Sequence, residues 1–335
     1  MTEKMPIVIL CDATECTGLG HFMRCVALTL GLQKQNCSVH FLGQFNDVAC
    51  TIARYFQVAL QQTSGTVAQR ALVLPQQSYV VVDSYQYQPT QLTAMHHYVV
   101  LDDFCNFSAY PVQGVINFTL SALAYNYVAK GAKAQALGLP YYLPHPDITH
   151  QQQIQRSALP QRILVMIGSG DQHNMAQLVV LALQRLQLNL NIKVVTAKPK
   201  LILSGTAPEN VELVVPVATV SDYYEWADFC ITSGGLAKYE CAYLGKPAAV
   251  ISLTDAEAEE TKRFSQAKLC FDLGHFRQQT AAGLASSLAE LLRHDVLRSN
   301  AQQACRAAFT ADSVEHAADF VIRCFSGDQY DKRQS

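Results

Sequence analysis

The chain has 335 residues, half of them apolar and 16% charged, with a formal net charge of −2. That supplies enough apolar side chain for two cores of ordinary size and excludes a disordered chain. Coating a nucleic acid needs clustered Lys and Arg, and without a basic block the sequence argues against nucleic acid as a partner while leaving a small anionic ligand open.

The first predicted element is a strand over Pro6–Leu10, followed by a polar turn from Asp12 to Thr17. Gly18-Leu19-Gly20-His21-Phe22-Met23-Arg24 then opens an amphipathic stretch that continues through Val26, Ala27, Leu28, Leu30 and Leu32. The pattern is strand, glycine-rich turn, helix. His21 falls on the first helical turn, where backbone N–H groups lack intrahelical partners and the helix dipole is positive. Such a place suits a phosphate or a sugar hydroxyl. Arg24, three residues on, shares the His21 face, and Gly18 and Gly20 let backbone approach a ligand. Further strands are predicted at Val39–Leu42, Tyr79–Val82, Tyr98–Leu101 and Val115–Phe118. Polar residues collect at their carboxyl ends: Asp83-Ser84-Tyr85, Asp102-Asp103 and Asn117. Taken singly, Asp83 and Asp102 read as helix caps. Asp102 and Asp103, adjacent on extended chain, point to opposite faces and so share neither metal nor proton.

Pro140, Pro144, Pro146 and Pro160 interrupt the alternation around Gln151-Gln152-Gln153. This places a linker at 146–160 between a domain over 1–145 and one over 161–327. The second half repeats the first. Ile163–Ile167 leads into Gly168-Ser169-Gly170-Asp171, with Asn174 near the start of a helix over Met175–Leu188. Strands follow at Ile192–Val195, Val211–Val215, Phe229–Thr232 and Ala248–Ser252. Ser233-Gly234-Gly235 precedes a helix over Leu236–Leu244, which Gly245 and Pro247 stop. That turn offers free N–H groups to an anion, and Glu240 on the helix is either a solvated surface carboxylate or a partner for ribose hydroxyls. From about Gln278 the chain is helical to near Phe325. Continuous Val/Ile/Leu strands alternating with helices are the signature of doubly wound α/β structure, which binds ligands beyond the carboxyl ends of its strands.

The 11 cysteines form no Cys-x-x-Cys pair and many lie in apolar runs, so they read as small hydrophobes in a reduced core rather than disulfides or a zinc site. No Walker loop, serine-hydrolase elbow, signal-peptide region or membrane-spanning apolar run is present, and a cytoplasmic protein is expected.

Asp12-Ala13-Thr14 with Gly18–Cys25, Asp83-Ser84-Tyr85, Asp102-Asp103, Ser169–Asn174, and Ser233–Glu240 with Gly245-Lys246-Pro247 together resemble the UDP-sugar hydrolases of pseudaminic acid biosynthesis. More broadly they are similar to the two-domain GT-B glycosyltransferases of the MurG type. The resemblance runs over nearly the whole chain. It implies two Rossmann-like domains in a GT-B arrangement, with the ligand in the interdomain crevice. It implies His21 as the general base for water, Tyr85 near the sugar, and the Ser233, Gly234 and Gly235 amides on the diphosphate. Glu240 would hold the ribose. Asp12, Gly20, Arg24, Gly170, Asp171 and Asn174 stand at matched substrate-binding positions. No metal or cofactor is implied. The implied substrate is a UDP-diacetamido-trideoxyhexose, released as UDP and free sugar for nonulosonic acid synthesis.

The chain departs from the family pattern in two places. Leu10 stands where the family has arginine, and Ala256-Glu257 stands where it has Asn-Gln. Among the four acids of Asp255–Glu260, Glu257 is the one expected to touch ligand, and most of the others are expected to face solvent. A GT-B glycosyltransferase, with an acceptor hydroxyl in place of water, and a non-catalytic nucleotide-sugar binding module are the alternatives.

Overall fold

The computed structural model of the protein describes residues 5–92, 94–148, 159–168, 171, 173–196, 208–215, 218–246 and 248–326. The chain divides into two units, one made of Met1–Pro146 with Thr310–Ser335 and the other of Asp147–Phe309.

The first unit is built on β1 (Met5–Cys11), β2 (Cys37–Gly43), β3 (Ala59–Gln62), β4 (Tyr79–Asp83), β5 (His97–Leu101), β6 (Gly114–Asn117) and β7 (Gln135–Leu137). They form a parallel sheet in the order β3-β2-β1-β4-β5-β6-β7. Helices α1 (Gly20–Lys34), α2 (Asp47–Tyr55) and α3 (Val67–Leu72) make the crossovers between the first four strands. Ile7, Ile9, Leu10, Val80, Val81, Val82, Val99 and Val100 are all buried, as expected where helices cover both faces of a parallel sheet. β1 and β4 are neighbours in space but not in sequence, with Cys11 beside Asp83. The crossovers reverse direction there, and such switch points are where open α/β sheets bind ligands.

The second unit repeats the plan with β8 (Arg162–Met166), β9 (Asn191–Val195), β10 (Val211–Val214), β11 (Phe229–Ser233), β12 (Ala248–Ser252) and β13 (Phe271–His275), ordered β10-β9-β8-β11-β12-β13. Its described helices are α4 (Met175–Gln184), α5 (Ser221–Trp226), α6 (Leu236–Tyr243), α7 (Asp255–Gln266), α8 (Ala281–Arg293) and α9 (Asp295–Ala308). Its switch point lies between β8 and β11. One core layer joins Ile163, Val165, Val179, Leu183, Ile231, Leu288 and Leu292.

The last helix, α10 (Ser313–Ser326), corrects the expected domain boundary, because it returns to the first unit. It lies along α1 where Gly31 leaves room: a Cβ there would stand 2.8 Å from Val314 Cγ1. Phe325 stacks on Tyr79 with ring centroids 4.9 Å apart, and Gly114 of β6 admits the Phe320 ring. Amphipathic spacing marked this segment as helical, but periodicity says nothing about which sheet a helix covers. All ten predicted strands form. The three that the apolar pattern missed, β3, β7 and β13, are all sheet edges. An edge strand buries less, so Ala59-Leu60-Gln61-Gln62 shows no apolar run. The helix predicted over Met175–Leu188 ends at Gln184, and residues 149–158 of the expected linker and Pro247 lie outside the described residues.

Candidate functional site

The first cluster sits at the β1/β4 switch point. Gly18 takes a φ of +71°, a left-handed turn open to glycine, and the chain enters α1 at Gly20. His21 therefore lies on the first turn. Its Nδ1 is 2.5 Å from Asp83 Oδ1 at the end of β4. Arg24, one turn on, donates from Nε to Asp83 Oδ2 at 2.6 Å and from Nη2 to Asp83 Oδ1 at 2.6 Å. Its Nη1 reaches both Asp103 oxygens, at 2.8 and 3.0 Å. The Tyr85 hydroxyl donates to Asp103 Oδ2, and the Tyr85 ring meets His21 edge-on at 4.3 Å.

Burial alone would raise the Asp83 carboxyl, but the Arg24 guanidinium and then His21 overcome it and hold Asp83 well below the usual carboxylate range. An ionised Asp83 accepts, so the proton in the short contact belongs to His21 Nδ1. In the neutral imidazole, Nε2 is then the lone-pair nitrogen. Nε2 has no hydrogen-bond partner among the described residues, and the His21 side chain is 13% exposed. His21 lines a cavity of about 160 Å³ with Asp12, Cys16, Thr17, Asp83, Ser84, Tyr85 and Gln86.

Asp83 is thus not a helix cap. The orphan donors it satisfies belong to side chains of α1. Asp102 and Asp103 do diverge, as expected for adjacent residues on extended chain. Asp103 joins the Arg24 network, while buried Asp102 accepts from Tyr110 Oη at 2.9 Å, Tyr127 Oη at 2.6 Å and the Cys105 N–H at 2.8 Å. Arg24 is itself buried, with its guanidinium committed to the two aspartates. Asp12 lines the cavity, and its Oδ1 accepts from Arg70 Nη1 and the Gln44 N–H, both at 2.7 Å.

The second cluster lies at the β8/β11 switch point. Gly168, two residues past β8 and at φ +99°, lies where a Cβ would stand 3.8 Å from Ser233 Oγ, at the end of β11. Gly235 is the N-cap of α6, and buried Lys238 on the first turn donates from Nζ to the Gly234 carbonyl at 2.7 Å. Burial pushes the Lys238 ammonium below its ordinary value. Glu257 rests on the glycine turn: a Cβ on Gly234 would meet the Glu257 Cβ at 2.7 Å. Its Oε2 accepts the Leu253 N–H at 2.7 Å, so the carboxylate also closes the start of α7. Glu240 Oε2 accepts from Tyr224 Oη at 2.5 Å, which orients that carboxylate. Asp171 accepts the Met175 and Ala176 N–H groups at 2.8 and 2.9 Å and so caps α4, while Asn174 holds a left-handed φ of 52° before the helix. Gly170 lies outside the described residues. The other acids of α7 divide: Asp255 and Glu259 are exposed, as expected of most of them, whereas Glu260 is buried and accepts from Tyr239 Oη at 2.6 Å.

Spacing alone singled out neither Asp103 as a partner of Arg24 nor Lys238 as the lock on Gly234. The signal for Asp83 was present, however. An acid directly after a buried strand, in a doubly wound order that sets β4 beside β1, must end next to the first glycine turn.

No family model matches the chain. Over 299 residues it is 22% identical to the pseudaminic acid cytidylyltransferase and UDP-2,4-diacetamido-2,4,6-trideoxy-beta-L-altropyranose hydrolase of Helicobacter pylori. That match takes in 86% of this chain and 51% of the relative, so the chain spans about half the length of the curated protein it resembles. Among solved structures, Acinetobacter baumannii MurG superposes with a TM-score of 0.65 at 14% identity, covering 96% of this chain and 100% of that one. The S. aureus MnaA–UDP co-structure gives a TM-score of 0.68 at 12% identity, with 97% of each chain covered. The fold is accordingly α/β and GT-B-like.

Proposed function

We propose that the chain is a UDP-sugar hydrolase that uses His21 as its general base, with the first unit handling the sugar and the second the nucleotide. The observation that carries this reading is the His21–Asp83 pair. The aspartate holds the Nδ1 proton, which leaves Nε2 to accept one at the edge of a cavity. Water attacks the anomeric carbon, His21 Nε2 takes its proton, and the bond from that carbon to the diphosphate oxygen breaks. Asp83 stabilises the imidazolium that forms. Arg24 and Asp103 fix the aspartate in place, so orientation is set before substrate arrives.

UDP departs as an anion. N–H groups at Ser233–Gly235 and the start of α6 would carry its developing charge, with Lys238 holding that turn in shape. Glu240, already oriented by Tyr224, would take the ribose hydroxyls. The similarity to the H. pylori protein supports a diacetamido-trideoxyhexose as the sugar and a role in pseudaminic or related nonulosonic acid synthesis. The glycosyltransferase reading draws on one observation, that Ala256-Glu257 stands where the hydrolase pattern has Asn-Gln.

A panel of UDP-sugars, incubated with and without saccharide acceptors, decides between them. Free sugar and UDP in equal amounts without acceptor is the expected result. UDP release only when acceptor is present would make the chain a transferase, and binding without turnover would make it a binding module.

A further inference from the structure

A second cavity opens beside the His21 cavity in the same unit, on the other side of the β1–α1 turn. It measures about 760 Å³ and is lined by Thr14, Glu15, Gln44, Phe45, Asn46, Gln62, Thr63 and Ser64. The His21 cavity, at about 160 Å³, is below the range of roughly 300–1,000 Å³ typical of ligand sites, and the second falls within it. None of the residues proposed above to act on the UDP-sugar lines this space.

Its walls are fixed in advance. The Gln62 carboxamide bonds both backbone groups of Phe45, accepting from N–H at 3.0 Å and donating to C=O at 3.1 Å. The Asn46 N–H donates to Ala13 O at 2.9 Å, the Ala13 N–H to Gln44 O at 2.8 Å, and the Thr63 N–H to Gly43 O at 2.9 Å. Thr14 and Thr17 exchange backbone-to-hydroxyl hydrogen bonds, which hold the turn dividing the two cavities.

The lining also has a definite chemistry. Apart from Phe45 it is made of carboxamides, hydroxyls and one carboxylate, Glu15, with no Lys or Arg. The Gln44 carboxamide, the Asn46 Nδ2 group and the Glu15 carboxylate have no hydrogen-bond partner among the described residues, whereas Asn46 Oδ1 is spent on the Ala49 N–H. Carboxamides donate and accept at once, and so do sugar hydroxyls and acetamido groups. A lone carboxylate disfavours phosphates and other anions. We infer that this groove is a second ligand site, for a neutral, hydroxyl- and amide-bearing saccharide, separate from the space beside His21.

Saturation-transfer NMR on the full chain with free N-acetylglucosamine tests the assignment, because it reads binding without turnover and stands whether or not UDP-sugar is cleaved. Saturation transfer to the sugar is expected in the wild type and in His21→Ala. It should fall at least several-fold in Gln44→Trp, which fills the groove from an exposed position, with circular dichroism confirming that this variant is folded. Signal that survives in Gln44→Trp but is lost in His21→Ala would put the saccharide in the His21 cavity and overturn the proposal. Absence of transfer at tens of millimolar sugar would overturn it as well. Equal transfer with methyl phosphate would show an anion site, not a saccharide site, and would likewise refute it.

Discussion

At the scale of single residues, the weight falls on a nitrogen and the carboxylate behind it. Replacing His21 with Ala should lower turnover of the UDP-sugar by about 10²–10⁴-fold, the ordinary contribution of a general base, with melting temperature little changed. A variant that keeps near-wild-type kcat would put the base elsewhere. Asp83→Asn should slow the reaction by up to about 10⁴-fold, because the amide no longer enforces the Nδ1–H tautomer. It also carries a pH signature. Asp83 is held below the usual carboxylate range, chiefly by Arg24 against the opposing cost of burial. Its contribution to stability is therefore present above that range and is lost as pH falls through it and toward the depressed value. Urea unfolding from pH 7 down to pH 3 should show a shallower acid limb for Asp83→Asn than for wild type. At neutral pH the same variant should be less stable, since Arg24 keeps a buried charge with half its counter-charge removed. Glu240→Ala should raise KM and leave kcat nearly unchanged, as expected for a group that binds ground and transition states alike. Unchanged UDP affinity by calorimetry would reduce Glu240 to a partner of Tyr224.

At the scale of elements, the sites depend on strands ending in register beneath turns of fixed shape. Gly43 ends β2 where a Cβ would stand 1.9 Å from the Cys11 carbonyl oxygen. Gly43→Ala must push β1 and β2 apart below both cavities of the first unit. A loss of about 3 kcal/mol, the upper part of the overpacking range, is expected, seen as a fall in melting temperature of roughly 6–12 °C. Nine inner strands and the edge strand β10 were legible because burial writes an apolar run, and the turns after β1 and β11 were legible because they need glycine. The other three edge strands were not, since nothing obliges a half-covered strand to be apolar. The pairing of Arg24 with Asp103 was not legible either. It joins residues 79 apart in sequence through the sheet order, and no local pattern records that distance. Glu257 was suspected for standing in the place of a family residue. The structure adds that it packs on Gly234, a contact that only the absence of a Cβ at that glycine permits.

At the scale of the whole molecule, the two units carry the same strand order, six strands in each following the pattern 3-2-1-4-5-6. Each places its glycine turns at its own switch point, so duplication of one plan accounts for both candidate half-sites. The units are not equally continuous. A chain ending at residue 309 would lack α10, and with it the cover over α1, Tyr79 and Gly114. Such a truncation should expose apolar surface to a hydrophobic dye and abolish turnover, while calorimetry still detects UDP binding. Loss of both activities together would mean that the second unit also depends on the last helix. The same return of α10 sets an order of events during synthesis. The unit that holds His21 begins first but is completed last, after about 160 intervening residues have left the ribosome. At 5–20 residues per second that is a wait of roughly 8–30 s. The second unit is contiguous, so a nascent chain can finish the half-site proposed for the nucleotide before the one proposed to carry out hydrolysis.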